Sequence, residues 1–426
     1  MKKLIVKNFG PIEEVELNLK RVNVLIGPQS AGKSCLLKIA CFCAWLEKRV
    51  ELDQDEEDKL NEDFFNENLI GFHQLDGYVR PGSLIHYESP FIEFTYQFGE
   101  EQPYFKWRSQ KWKYRRPRIS YIPADRNLVS SIPNWFEVSF GNTNLRNFIT
   151  DWNNARELYH KGSELPILDL GVEYYYDEGT KRDMIRLPHD EQALNLRNAS
   201  SGIQSVIPMW VYLDFLFQKQ YALELNSSVK TEGEKDLILH MIYDFRYRKG
   251  TFRAKKRGYD LVSAKINKQS FTFENDVMAK ECNELFESFA YTQFSDIYLE
   301  EPEQNLFPYT QAELVRNLLQ QINNRGDNLF IATHSPYVLY ELNNCMLGYL
   351  VKNKISNDRI DLLENRKSWI NPKEVAVWEL KDGKLSSTVD AKLMTIQDAQ
   401  GLVRGNYFDR IMHNVMAAFT NYSMYL

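Results

Sequence analysis

The feature that most constrains this chain is the run Gly27-Pro28-Gln29-Ser30-Ala31-Gly32-Lys33-Ser34 and the two segments that flank it. Before it, residues 22–26 are apolar except for Asn23, as suits a largely buried strand. After it, residues 33–46 read as a helix. A strand, a glycine-bounded loop and a helix form a unit that wraps a phosphate with backbone N–H groups. Glycine is needed where the chain turns sharply or approaches the ligand closely. The helix start directs its positive dipole end at the anion. Lys33 supplies a point charge to the outer phosphates, and the Ser34 hydroxyl can ligate magnesium. The alternative is a chance match in a surface turn, which the flanking strand and helix argue against.

Composition narrows the setting. Over 426 residues, 43% are hydrophobic and 26% charged, an ordinary globular balance with ample material for a core. A net charge of -6 argues against a protein that coats nucleic acid over its whole surface, and leaves room for a local basic patch. The best apolar run, 206–217, is too short for a membrane span and contains Asp214. The three apolar residues between Lys3 and Lys7 are too few for a signal peptide, so the expected location is cytoplasmic. Cys35, Cys41, Cys43, Cys282 and Cys345 form no CxxC pair and read as reduced, partly buried thiols.

Further strands are expected at 3–7, 15–19, 92–98, 104–107, 119–122, 294–299, 328–333 and 375–380. Residues 171–176 and 183–187 read as a hairpin turning at 177–180. Helices are expected at 202–217, with Pro208 bending the first turns, and at 310–323 and 406–418. Residues 220–285 read as mostly helical without a sustained heptad repeat. The acidic run 51–63 reads as a solvated loop or helix face. The expected division is 1–205 and 291–426 as two parts of one α/β domain, with 206–290 as a helical middle.

Three more motifs carry chemistry. Glu300 and Glu301 end an apolar strand, the edge where open α/β sheets bind ligands. The first can hold the magnesium shell and the second can orient the attacking water. His334 follows another apolar strand and can donate to a terminal phosphate, although a lone histidine is more often structural. Ala199-Ser200-Ser201-Gly202 opens a helix with hydroxyls and free N–H groups, an anion site or an ordinary N-cap.

Together and in this order, these motifs resemble the nucleotide-binding head of ABC-type ATPases. The resemblance is closest to the SMC, RecF and OLD group and, within it, to OLD-like AAA family ATPases of bacterial antiphage defence. Lys7-Asn8-Phe9-Gly10-Pro11-Ile12, Tyr121-Ile122-Pro123-Ala124-Asp125-Arg126 and Glu300 through Pro308 are similar to segments of that group. The resemblance implies an α/β P-loop head with a mixed sheet, a helical insertion and no long coiled coil. It implies two heads enclosing two ATP molecules with Mg2+. Each ATP would contact Gly27, Ser30, Ala31, Gly32, Lys33, Ser34 and Cys35 of one copy, and Ser200 and Gly202 of the other. Glu301 resembles the catalytic glutamate, His334 the switch histidine, and Ser34 and Glu300 the metal contacts.

The departures are Glu300 for an aspartate, Cys35 for a hydroxyl and Ser201 for the first glycine of the serine turn. Gln74 is a candidate for the magnesium-contacting glutamine. These changes imply slow turnover.

The expected partners are a second copy or a larger homo-oligomer, and a separate effector, nuclease or toxin, because 350–426 contain no Asp-x-Asp for a nuclease module. Basic, aromatic-rich segments at 106–118 and 246–257 suit nucleic acid, an acidic protein or plain solvation. A RecF-like DNA-repair ATPase and an ATP-gated binding module with little turnover are the alternatives.

Overall fold

A computed structural model of the chain describes residues 2–100, 103–132, 138, 140–187, 192–225, 229–356, 359, 362–363, 365–386 and 395–424. Its main sheet combines strands from both ends of the sequence. From the N-terminal portion come β1 (Lys2–Phe9), β2 (Ile12–Leu19), β3 (Val22–Ile26), β4 (Val79–Glu88), β5 (Ile92–Gln97), β6 (Tyr104–Trp107) and β7 (Pro117–Ile122). A smaller sheet holds β8 (Leu165–Ile167), β9 (Val172–Asp177), β10 (Arg182–Arg186) and β11 (Leu194–Asn195), and a hairpin holds β12 (Val262–Ile266) and β13 (Gln269–Phe273). The C-terminal portion adds β14 (Phe294–Glu300), β15 (Asn328–Ala332), β16 (Val375–Lys381) and β17 (Lys384–Leu385).

The main sheet has the order β6-β5-β4-β1-β2-β17-β16-β3-β15-β14-β7. Neighbouring strands within β16-β3-β15-β14-β7 are parallel, whereas β1, β2, β4, β5 and β6 pair antiparallel. The class is therefore α/β with a mixed sheet.

The parallel strands are apolar runs because both of their faces are covered. Val22, Val24 and Ile26 enter one core with Ile297, Leu299, Leu329, Ile331, Val375 and Val377. Leu25, Tyr298, Phe330, Ala332, Ala376 and Trp378 point into the other. Helix α1 (Lys33–Asp53) lies in this second core, between the parallel strands and the antiparallel layer, and is buried on most sides. Each fully buried Leu, Ile or Phe there contributes about 1.5–3 kcal/mol. Cys41 and Cys43, two apart on α1, are both buried, and all five cysteines are free thiols.

Three features fall outside the expectations. Residues 220–285 are mostly helical, as expected, but β12 and β13 also form a hairpin inside them. Its two turn residues, Asn267 and Lys268, both have positive φ, as a type I′ turn requires. With lysine in place of the usual glycine the turn gave little sequence signal. The acidic run is not uniformly solvated: Glu51 is buried, and burial pushes its carboxyl up to about 9. Strand β4 was not expected, since Pro81 and Gly82 lie inside it and its first half is exposed.

Pro208 lies inside the helix Ser201–Asp214 and has no N–H for the Gln204 carbonyl one turn back. The buried Ser130 hydroxyl donates to that carbonyl instead, at 2.9 Å. No helix among the described residues is long and apolar enough to cross a membrane.

Candidate nucleotide site

Because β3, β7, β14 and β15 are parallel, the segments that follow them share one edge of the sheet. The glycine loop follows β3, residues 123–126 follow β7, Glu301 follows β14, and Thr333 and His334 follow β15. A cleft of about 520 Å³ lies there, lined by Gln29 through Cys35, by Glu301 and His334, and by Tyr78 and Arg80. Tyr78 and Arg80 come from the β4 region, whose exposed first half with Pro81 and Gly82 carries no strand pattern in the sequence.

The loop has the shape its glycines permit. Gly27 has φ 144, and a side chain there would place its Cβ 2.1 Å from the Leu380 carbonyl oxygen. Gly32 has φ 100 and immediately precedes α1. Ser30 adopts φ 58, and Ser34 is exposed in the cleft while Cys35 is buried beneath it. Burial pushes the Cys35 thiol up to about 12, so it is a neutral group at physiological pH.

The Lys33 ammonium donates to the carbonyls of Gly27 at 3.0 Å and Pro28 at 2.7 Å. Burial lowers its pKa to about 8, against the pull of Glu301 and Glu303. This is a partly desolvated cation held beside free helix N–H groups, an arrangement that favours an incoming polyanion.

The acidic edge is braced from below. The fully buried Arg126 guanidinium donates to the backbone carbonyls of Pro123 at 3.1 Å, Glu300 at 2.8 Å and Glu301 at 2.7 Å. Burial holds Arg126 down to about 10, and it stays charged at neutral pH. Glu301 adopts φ 41 and its N–H donates to the Ala332 carbonyl at 2.8 Å. A left-handed glutamate is strained, and strain of this kind gathers at functional sites.

Glu303 ties the two strand ends together. It accepts from the Thr333 hydroxyl at 2.8 Å and the His334 N–H at 2.6 Å. Burial raises its pKa, and those bonds oppose the rise. His334 Nε2 lies 3.5 Å from Glu301 Oε1. Burial, then the Lys33 charge, lowers the histidine pKa, so at neutral pH the ring is uncharged and the contact is not an ion pair.

Glu300 does not line this cleft. Its carboxylate is buried and accepts from the Ala124 N–H at 3.2 Å. Gln74 does not line it either. The bracing roles of Arg126 and Glu303 were also missed; both lie inside segments quoted for the resemblance, but their partners are distant in sequence.

The serine turn sits apart from the cleft in the same chain. Ser200 is exposed, and its side chain makes no capping bond to its own helix, so it is not an ordinary N-cap. Gln204 fixes the turn by donating to the carbonyls of Arg197 at 2.8 Å and Ala199 at 2.9 Å. A Cβ on Gly202 would meet the Asn305 carbonyl oxygen at 2.9 Å. The turn is thus packed on the loop that follows Glu301 and Glu303.

The two basic segments meet: the Arg246 guanidinium lies 5.7 Å from the Trp112 ring centre. Several of their cations are already engaged. Arg108 pairs with Glu88 and Glu93, Arg118 with Asp151, Arg246 with Glu281 and Arg248 with Asp244. Lys249, Arg253, Lys255, Lys256 and Arg257 remain exposed beside exposed Phe252.

No protein-family model and no curated protein sequence matches the chain. Among solved structures it is similar to the SMC head domain from Thermotoga maritima, at 11% identity over 80% of this chain and 90% of that one, with a TM-score of 0.33. It is also similar to the recombination mediator protein RecF of the RecFOR pathway, at 10% identity over 90% of this chain and 96% of that one, with a TM-score of 0.28. Likeness this loose leaves the chemistry to be read from the cleft.

Proposed function

We propose that this chain binds and hydrolyses ATP as an ABC-type head, in a composite site completed by a second copy. The observation that carries the proposal is the meeting of Lys33, Ser34, Glu301 and His334 in one cleft, although they come from distant parts of the chain. The triphosphate would lie along Ser30 through Ser34. Lys33 would exchange its two loop carbonyls for phosphate oxygens. Magnesium keeps much of its water and takes few protein ligands in such sites, so the lack of a three-ligand cluster among the described residues is compatible with it. Ser34 and phosphate oxygens would hold the ion, which offsets charge on the phosphates. Glu301 would orient the attacking water, and His334 would donate to the terminal phosphate. Ser200 and Gly202 of the partner copy would close the site, which accounts for a capping serine that does not cap.

A mixing experiment tests the shared site. Lys33→Ala and Ser200→Arg are each expected to lack ATPase activity. Mixed, they form heterodimers with one intact Lys33–Ser200 site, and activity returns. No recovery, with heterodimers present, contradicts a composite site.

The cellular role we infer is that of a sensor or scaffold ATPase in bacterial antiphage defence, with a separate effector. Its support is the sequence resemblance and the absence of Asp-x-Asp in 350–426. The exposed cations of 249–257 favour a second reading, a RecF-like ATPase on DNA. Salt-sensitive DNA binding that is lost when these cations are replaced would select it. The engagement of Glu300 by Ala124 favours a third, an ATP-gated module with little turnover; ATP binding without phosphate release would select that one.

A further inference from the structure

The helix Tyr407–Ser423 stands out because it has a firm root and no buried residue. Asn406 caps it through a reciprocal capping box with Asp409. Arg410 donates to the Gly405 carbonyl at 2.9 Å and to the Glu379 carboxylate. The Tyr340 hydroxyl donates to Asp409 at 2.7 Å. Phe408 packs against the core. Beyond this root, Met412, Val415, Phe419 and Tyr422 recur at spacings of three and four, so they share one face of the helix. All four are exposed, Phe419 at 68% and Tyr422 at 75%, and Ile411 and Met416 widen the stripe.

We propose that this stripe docks against the same stripe of a second copy, in a two-fold contact that needs no nucleotide. Two observations select this occupant. The first is charge: residues 411–423 contain no Asp, Glu, Lys or Arg, and the charges at the root, Asp409 and Arg410, are already engaged within the chain. Nothing on the stripe would select a charged protein partner or the anionic surface of a membrane, whereas a neutral stripe matches itself. The second is area. The six side chains are 46–75% exposed and form one apolar patch on a single helix face, a centre for a stable interface, which takes about 800 Å² from each partner. A two-fold axis across the helix would bring each Val415 near its own counterpart and seat Phe419 against Met412 of the other copy. The helix is rooted beside the same sheet edge as the cleft, since Glu379 pairs with Ile26 at the end of β3 and Leu380 abuts Gly27, but no residue of the stripe lines the cleft, and the contact stands whether or not the nucleotide proposal does. If both hold, nucleotide-free dimers would pair into tetramers on binding ATP.

The test is the mass in solution of the full chain without nucleotide, by light scattering and sedimentation. The parent and Lys33→Ala should both be dimers at micromolar concentration. Val415→Glu with Phe419→Glu should weaken the dimer at least ~100-fold, as loss of central anchors does, without altering ATP binding. Because the five native cysteines are buried, Val415→Cys should give a disulfide-linked dimer on oxidation, and Thr420→Cys, on the polar face, should not. A nucleotide-free monomer at ~50 µM, a dimer unaffected by the glutamates, or a monomer whose stripe binds neutral or anionic vesicles would overturn the proposal.

Discussion

The cleft edge and the serine turn are built from similar materials, small residues and hydroxyls at a helix start, yet the fold treats them differently. The edge is closed within one chain. Arg126 holds the backbone of Glu300 and Glu301 from beneath, Glu303 ties the end of β14 to His334, and Lys33 occupies the centre of its own loop. The serine turn is also fixed, by Gln204 and by the contact of Gly202 with Asn305, but Ser200 is exposed and its side chain makes no capping bond to its own helix. A fixed turn suits the proposed site shared between copies, since a loose turn would lose entropy each time it closed on a nucleotide. The Gly202–Asn305 contact also gives the turn a mechanical connection to the loop after Glu301.

The largest expected effect separates binding from chemistry at the edge. Glu301→Gln should reduce turnover about 1000-fold while leaving ATP affinity unchanged, because the amide keeps the shape and loses the carboxylate. Single-turnover kinetics with an equilibrium binding assay measures both. A variant that loses both together would show that Glu301 serves to hold the edge, a role assigned here to Arg126 and Glu303.

Next is Arg126→Met. It leaves the carbonyls of Glu300 and Glu301 without their donor and should cost about 3 kcal/mol of stability, read from chemical denaturation. It should weaken ATP binding as well, since the strained φ of Glu301 would be free to relax. Unchanged stability would mean that the edge does not depend on this brace.

The smallest effect is on pH. Lys33 is held down to about 8 in the free protein, and a bound triphosphate favours its charged form. Its pKa is therefore higher in the complex. Affinity is expected to be full below pH 8 and to weaken by up to about tenfold per unit above it, with proton uptake on binding. Calorimetry at pH 8.5 in two buffers of different ionisation heat reads that proton directly. No uptake would mean that Lys33 does not meet the phosphates.

Much of the edge was legible because it is local. A glycine loop between a strand and a helix, and carboxylates at the end of an apolar run, are patterns a single stretch of sequence carries. That β3, β14 and β15 lie side by side could be expected only from their shared two-faced apolarity. What was not legible depends on long-range partners. The turn of Arg126 toward the two glutamate carbonyls, the cleft-side position of Tyr78 and Arg80, and the capture of Glu300 by Ala124 follow from strand register, which no local pattern records. The β12–β13 hairpin escaped because Asn267-Lys268 lacks the glycine that marks such turns. Glu51 escaped because an acidic run normally signals solvent.

The most direct test of the central claim is a structure of Glu301→Gln with ATP and magnesium. The expected result is a triphosphate along Ser30 through Ser34, with Lys33 moved from the Gly27 and Pro28 carbonyls onto the phosphates and the terminal phosphate facing residue 301 and His334. A nucleotide bound elsewhere, or a Lys33 still on its own loop beside a bound triphosphate, would contradict it.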